Sequence, residues 1–167
     1  MLRYLLKPLS FVPAFGMMFL IWYFSAQPAA ASSEVSISFG MKLIMLLDRL
    51  LSLELSDPQI LYYTQMLHGL IRKTAHVTEY FFLAVSIALP LYVYRLRGFW
   101  LVLAAGFFCV AFAGLDEYHQ TFVPGRSGSL RDVLIDSIGI FTGIYFTRII
   151  GFIGRKTIFA PLSLKKN

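Results

Sequence analysis

Charge and cysteine are both scarce in this chain, and each scarcity removes a class of explanation. Charged residues make up 14% of its 167 positions, against about 25% in ordinary soluble proteins. The hydrophobic share is 57%, and a water-soluble domain of this length has too little interior to hide that much apolar surface. Cys109 is the only cysteine, so no intrachain disulfide can form. It lies within an apolar run and reads as a small buried hydrophobe. Basic residues exceed acidic ones by 15 to 9, for a net charge of +6, yet they form no patch interleaved with polar sequence. They flank apolar runs, as in membrane proteins, and no nucleic-acid partner is expected. Repeats, low-complexity tracts and linkers are also missing, so residues 1–167 read as a single domain.

What the chain does have is sequence suited to lipid. A bilayer core of about 30 Å takes about 20 mostly apolar residues per helix. Four stretches qualify, at about residues 9–26, 74–94, 98–115 and 133–147. Trp22 and Tyr23 stand near the end of the first, and Pro90 is expected to kink the far end of the second. The third carries no charge, and the fourth is interrupted only by Asp136. The expected fold class is therefore an all-α membrane protein, a bundle of four transmembrane helices.

Lys and Arg set the orientation. With the N-terminus inside, Arg3, Lys7, Arg95, Arg97, Arg148, Arg155, Lys156, Lys165 and Lys166 fall on the inner side. Lys42, Arg49, Arg72, Lys73, Arg126 and Arg131 fall outside. Both termini are then cytoplasmic. All nine acidic residues (Glu34, Asp48, Glu54, Asp57, Glu79, Asp116, Glu117, Asp132 and Asp136) lie in or beside the two outer loops, which locates the chemistry at the outer face. Arg3 and Lys7, an apolar run and Ala29-Ala30-Ala31 also resemble a cleavable signal peptide, but the run is long and aromatic for one. The first span is expected to be retained.

The first outer loop, about 27–72, starts small and polar and turns apolar at 39–55, where Lys42, Asp48, Arg49 and Glu54 are scattered. That mixture suits a helix lying at the membrane surface. Asp57-Pro58 reads as an N-cap followed by proline at the first helical position, with Gly69 a candidate break before the second span.

The second span opens with Arg72-Lys73-Thr74-Ala75-His76-Val77-Thr78-Glu79-Tyr80. Helical spacing stacks Arg72, His76 and Tyr80 above one another, with Glu79 three residues from His76. The third span ends with Asp116-Glu117-Tyr118-His119-Gln120; if its helix continues, Asp116 and Gln120 share a face. Pro124-Gly125 then marks a turn that presents Arg126. Ser129-Leu130-Arg131-Asp132 reads as a capping box opening the fourth span. Asp136 lies one turn deeper on the same side, and Gly139 and Gly143 continue that side at a spacing that permits close helix packing. The carboxylate stripe should therefore face the other helices.

These motifs resemble those of VanZ-like membrane proteins. The resemblance rests on Phe24-Ser25-Ala26-Gln27-Pro28 and on Arg72-Lys73-x-x-His76-x-x-Glu79-Tyr80. It continues through Asp116-Glu117-x-x-Gln120-x-Phe122-x-Pro124-Gly125-Arg126 and Asp132-x-x-x-Asp136-x-x-Gly139. It implies a multi-pass protein of the bacterial cytoplasmic membrane and cell envelope. The family's namesake is associated with resistance to the glycopeptide teicoplanin, and no settled reaction comes with the family.

Two chemical readings follow. In the first, the chain binds an envelope lipid headgroup, a lipid-linked precursor or a glycopeptide, with Arg72, Lys73, Gln120 and Arg126 as the anion-binding set. The second makes it an enzyme at the outer boundary, with His76, Glu79, Asp116 and Asp136 moving protons on a lipid-linked phosphate or sugar. Tyr80, Glu117 and Asp132 complete the polar cluster. Plainer readings stand beside both: an interhelical network of Arg72 and Arg126 with Asp116, Glu79 and Asp136, helix capping by Asp132, and Glu117 and His119 facing water. Arg126 is read either as a phosphate ligand or as the partner of Asp116 or Asp132. A metal site would need a His-x-x-x-His or a second His-x-x-Glu, which the chain lacks, so no metal or cofactor is expected. Transport would require dimers of so small a carrier, and a homo-oligomer is compatible with the sequence.

Overall fold

Apolar sequence without strand-like alternation winds into helix almost end to end. The computed structural model describes residues 8–156, with side chains as far as residue 153. A 3-10 turn, Pro8–Phe11, leads into α1 (Val12–Ser25), followed by α2 (Ala29–Leu51), α3 (Asp57–Val93), α4 (Gly98–Gln120) and α5 (Leu130–Lys156). Among the described residues, five helical stretches are long and apolar enough to cross a membrane, one more than the four expected. The additional one is α2. Of the inner basic residues, Arg3, Lys7, Lys165 and Lys166 lie outside the described residues, as do the side chains of Arg155 and Lys156.

The long first loop folds as a helical hairpin. Its helix α2 begins at Ala29, ten residues before the apolar run at Phe39, and packs antiparallel on the first half of α3. At the seam, a Cβ on Gly40 would stand 2.9 Å from Ile71 Cδ1 and 3.6 Å from Thr64 Cγ2. The hairpin tip is closed by Asp48, whose carbonyl accepts from Leu53 N–H (3.2 Å) and whose Oδ1 accepts from Leu55 N–H (2.9 Å).

Two expectations are corrected here. The N-cap of α3 is Ser56 rather than Asp57, because Gln59 reaches back to it: Gln59 Oε1 accepts from both the Ser56 N–H and its Oγ, each at 2.9 Å. Nor does Gly69 break the chain, for α3 is one helix of 37 residues that runs through Pro90 to Val93. A mid-helix glycine costs only about 1 kcal/mol, and packing against α2 supports the helix along this stretch. At about 1.5 Å per residue α3 is about 55 Å long, far longer than a bilayer core. The hairpin accordingly continues the line of the second half of α3.

The remaining helices assemble around the second half of α3, which packs against α1, α4 and α5. The core draws Ala14 and Ile21 from α1, Tyr80 to Tyr92 from α3, Leu101 to Ala113 from α4, and Ile140 and Ile144 from α5, with no residue of α2. The α3–α5 contact is the most extensive, and the glycine spacing accounts for it. A Cβ on Gly139 would lie 2.1 Å from Val77 O, and one on Gly143 2.5 Å from Phe81 O. Two backbones meet there without side chains between them.

Gly139→Ala is expected to destabilise the detergent-solubilised protein by about 1–3 kcal/mol, the range for overpacking. Gly16→Ala should be close to neutral, since its Cβ would meet nothing within 4 Å. Thermal unfolding of the two variants beside the wild type checks this.

Candidate functional site

Four chain segments meet at one level: the C-terminus of α1, the middle of the unbroken α3, the C-terminus of α4, and the turn leading into α5. The turn at 121–129 is held by its own bonds, from Val123 N–H to Gln120 O (3.1 Å) and from Arg126 N–H to Val123 O (3.1 Å). Gly125 has φ +74°, a left-handed conformation that favours glycine, and a Cβ there would stand 3.1 Å from Ala29 Cβ. The turn docks on the start of α2 through Ala29 N–H donating to Pro124 O at 3.1 Å.

This docking decides where Arg126 points. Its Nε donates to Gln27 O (2.8 Å) and its Nη2 to Phe24 O (3.0 Å). A cation placed on the last carbonyls of a helix is favourable for both hydrogen bonding and the helix dipole. The expected ion pair of Arg126 with Asp116 or Asp132 is therefore corrected: carbonyls at the end of α1 take the guanidinium instead.

Asp116 is 1% exposed. Its Oδ2 accepts from Ser25 Oγ at 2.7 Å and from Gln120 Nε2 at 3.2 Å, and the same Nε2 donates to Ser25 Oγ at 3.1 Å. The fully buried Tyr80 lies beside it. Asp116 and Gln120 do share a face of α4, whose helix continues to Gln120. Glu117, read either as part of the polar cluster or as facing water, is buried at 8% exposure because the chain before α5 folds back over it: its Oε2 accepts from Ser129 N–H at 2.8 Å. That bond replaces the expected capping box. Ser129 Oγ accepts from Arg131 N–H at 3.2 Å, while Asp132 pairs with Lys73 across α3 and α5. His76 Nδ1 lies 3.4 Å from Glu79 Oε2. His119 leaves the cluster and stacks on Trp22 with ring centroids 4.0 Å apart.

Between these groups lies a cleft of about 120 Å³. Arg72, Lys73, His76, Glu117, Gln120, Arg126, Asp132 and Asp136 line it, together with Gly125, Ser127 and Ile135. Asp136 is 4% exposed, so the stripe of α5 that carries it faces inward. Glu79, Tyr80 and Asp116 lie behind the wall and do not line the cleft. Burial, then the nearby charge of Arg72, lowers the Arg126 pKa; an arginine still remains a cation at neutral pH. The two guanidinium groups thus repel each other at the cleft. Among the described residues, no three His, Cys, Asp or Glu side chains are grouped so as to hold a metal ion. Ser25 was missed as a site residue. Its sequence signal was its place in the Phe24-Ser25-Ala26-Gln27-Pro28 motif at the end of the first span.

A family model described as VanZ/LLP1 matches residues 10–151. That range covers α1 to α4 and most of α5, and the chain belongs to this family. No curated protein and no solved structure matches the chain.

The bonds at this level are expected to differ in weight. Ser25→Ala should cost about 1–3 kcal/mol, because it strips a donor from a buried carboxylate. Lys73→Ala should cost at most about 1 kcal/mol, since the Lys73 and Asp132 side chains are 44% and 36% exposed. Unfolding of the two variants in detergent ranks them.

Proposed function

We propose that this member of the VanZ/LLP1 family binds an anionic headgroup, that of an envelope lipid or lipid-linked precursor, in the cleft at the outer boundary of the bacterial cytoplasmic membrane. One observation carries the reading: Arg72 and Arg126 face the same cleft without ionic partners. Among the described residues, the pairs within 4.0 Å are Lys73 with Asp132 and His76 with Glu79, and neither arginine joins one. The bonds of Arg126 go to neutral carbonyls. A phosphate between the two guanidinium groups would relieve their repulsion, accepting from Arg72 and from the N–H donors that Arg126 keeps after its two carbonyl bonds. Holding such a headgroup changes how much of its target a glycopeptide such as teicoplanin meets.

The placement in the membrane belongs to this proposal. From Arg95 back to Glu79 on α3, and from Arg97 to Asp116 on α4, the rise at about 1.5 Å per residue is roughly 24–29 Å. That is close to one bilayer core of about 30 Å. Four helical segments (α1, the second half of α3, α4 and α5) then cross, with both termini inside. Basic residues mark the inner boundary and the cleft marks the outer one. The hairpin of α2 and the first half of α3 stands outside.

A second reading, acid–base catalysis on the bound headgroup, is favoured by two buried carboxyl oxygens. Among the described residues Asp116 Oδ1 has no hydrogen-bond partner, and Glu79 Oε2 faces only the His76 imidazole, at 3.4 Å and outside hydrogen-bonding geometry. Buried carboxyl oxygens without donors mark places where a proton or a ligand group completes the bonding.

The purified protein, incubated with total envelope lipids and re-isolated, is expected to retain phosphate-bearing lipid, and Arg72→Gln to retain at least tenfold less. Added salt should weaken retention. Equal retention by the variant, or none by the wild type, would contradict headgroup binding. Mass spectrometry of the same mixture reads the second possibility: a new product that Glu79→Gln and Asp136→Asn abolish would establish catalysis.

A further inference from the structure

The hairpin contributes nothing to the core below the cleft, yet it carries a surface unsuited to water. Successive residues on a helix step by about 100°, so each side chain can be placed relative to the seam where α2 meets α3. On α2 the seam is Ser36, Gly40 and Ile44, all buried. Glu34 and Asp48 lie to one flank of it. On the other flank stand Phe39, Leu43, Leu46 and Leu50, exposed by 58%, 36%, 52% and 70%. On α3 the seam is the buried Thr64. Tyr63, Met66 and Leu70 occupy one flank, exposed by 40%, 69% and 63%, and His68, Arg72 and His76 the other. In an antiparallel pair, equal offsets in the same sense from the seam fall on the same side. The two apolar stripes therefore merge into one face, bordered on the outer edge of α2 by the exposed Lys42 and Arg49 and turned away from the side on which Arg72 and His76 meet the cleft.

We propose that this face packs against the same face of a second copy, giving a homodimer whose two-fold axis stands along the membrane normal. The proposal rests on the membrane placement proposed above and not on headgroup binding. Three features favour a second copy as the occupant. Copies inserted in one orientation present the face at one height, so a two-fold rotation brings it onto itself. The basic residues bordering the face stand on its α2 edge, which a two-fold axis sets against the α3 edge of the other copy, so like charges do not meet; the opposite flank carries Glu34 and Asp48. Its seven large side chains expose roughly 750 Å², close to the about 800 Å² that one partner contributes to a standard interface. The bilayer is a poor alternative, since the unbroken α3 keeps the hairpin in line with the span.

The test uses the full chain in its own membrane, with Cys109→Ser as background. Leu46→Cys and Leu50→Cys should give a covalent dimer on mild oxidation at ten times or more the yield of Glu34→Cys and Met45→Cys, which lie off the face. Equal yields, no dimer, or linkage of the face to a different protein would overturn the proposal. Independently, Leu46→Glu with Leu50→Glu should halve the protein mass measured by light scattering in mild detergent, from twice 19.0 kDa to 19.0 kDa. The unfolding temperature should stay unchanged, since both side chains are exposed. A dimer that survives both substitutions would also overturn it, and if the double variant unfolds, the cysteine yields decide.

Discussion

A carboxylate at the end of a membrane helix must be met by donors that its own helix cannot fully supply. Burying an ion without partners costs several kcal/mol, and Asp116 is almost wholly buried. Gln120, one turn along α4, supplies one donor; the shorter bond comes from Ser25 at the end of α1. The same demand recurs around it. Glu117 is met by the backbone before α5, Asp132 by Lys73, and the last carbonyls of α1 by Arg126. Each solution recruits a segment distant in sequence, so satisfying these groups gathers the ends of the bundle into one place. The cleft is the space left between them.

This constraint divides the molecule in two. Below the cleft, small residues let backbones touch, as at Gly139 and Gly143, and the buried side chains are largely apolar, with Thr147 an exception. Above it, the hairpin is held by one seam and shares none of that core. Stability and chemistry are thereby separated along α3, with Lys73 and His76 at the junction. Substitutions that tune the cleft can leave the bundle folded, because its strongest contacts lie deeper.

Much of this was legible in the residues. The four apolar runs coincide with parts of α1, α3, α4 and α5, and the inward turn of Asp136 followed from its place above Gly139 and Gly143. The convergence of Arg72, His76, Gln120, Arg126 and Asp136 on one cleft follows from their positions at span ends. Other features depend on how loops return, which helical periodicity does not encode. Glu117 looked solvent-facing because nothing in its own helix shows that Ser129 folds back over it. The carbonyl partners of Arg126 depend on the docking of the turn against Ala29, and the Lys73 partner of Asp132 on how α3 meets α5. The start of α2 was obscured by its run of alanine and serine, and the continuity of α3 by Gly69, whose cost is small beside the packing that offsets it.

The central claim is that distant segments bring their ionisable groups together on the extracytoplasmic side, and Lys73 and Asp132 offer the most direct test. Cysteines at both positions, with Cys109→Ser, are treated on intact cells with a short bifunctional thiol reagent that does not cross membranes. The expected result is an intramolecular cross-link between α3 and α5, found by peptide mass spectrometry and lost when an impermeant blocking thiol reagent is applied first. Cysteines that react only after the membrane is opened, or that react from outside without ever joining, would contradict the account.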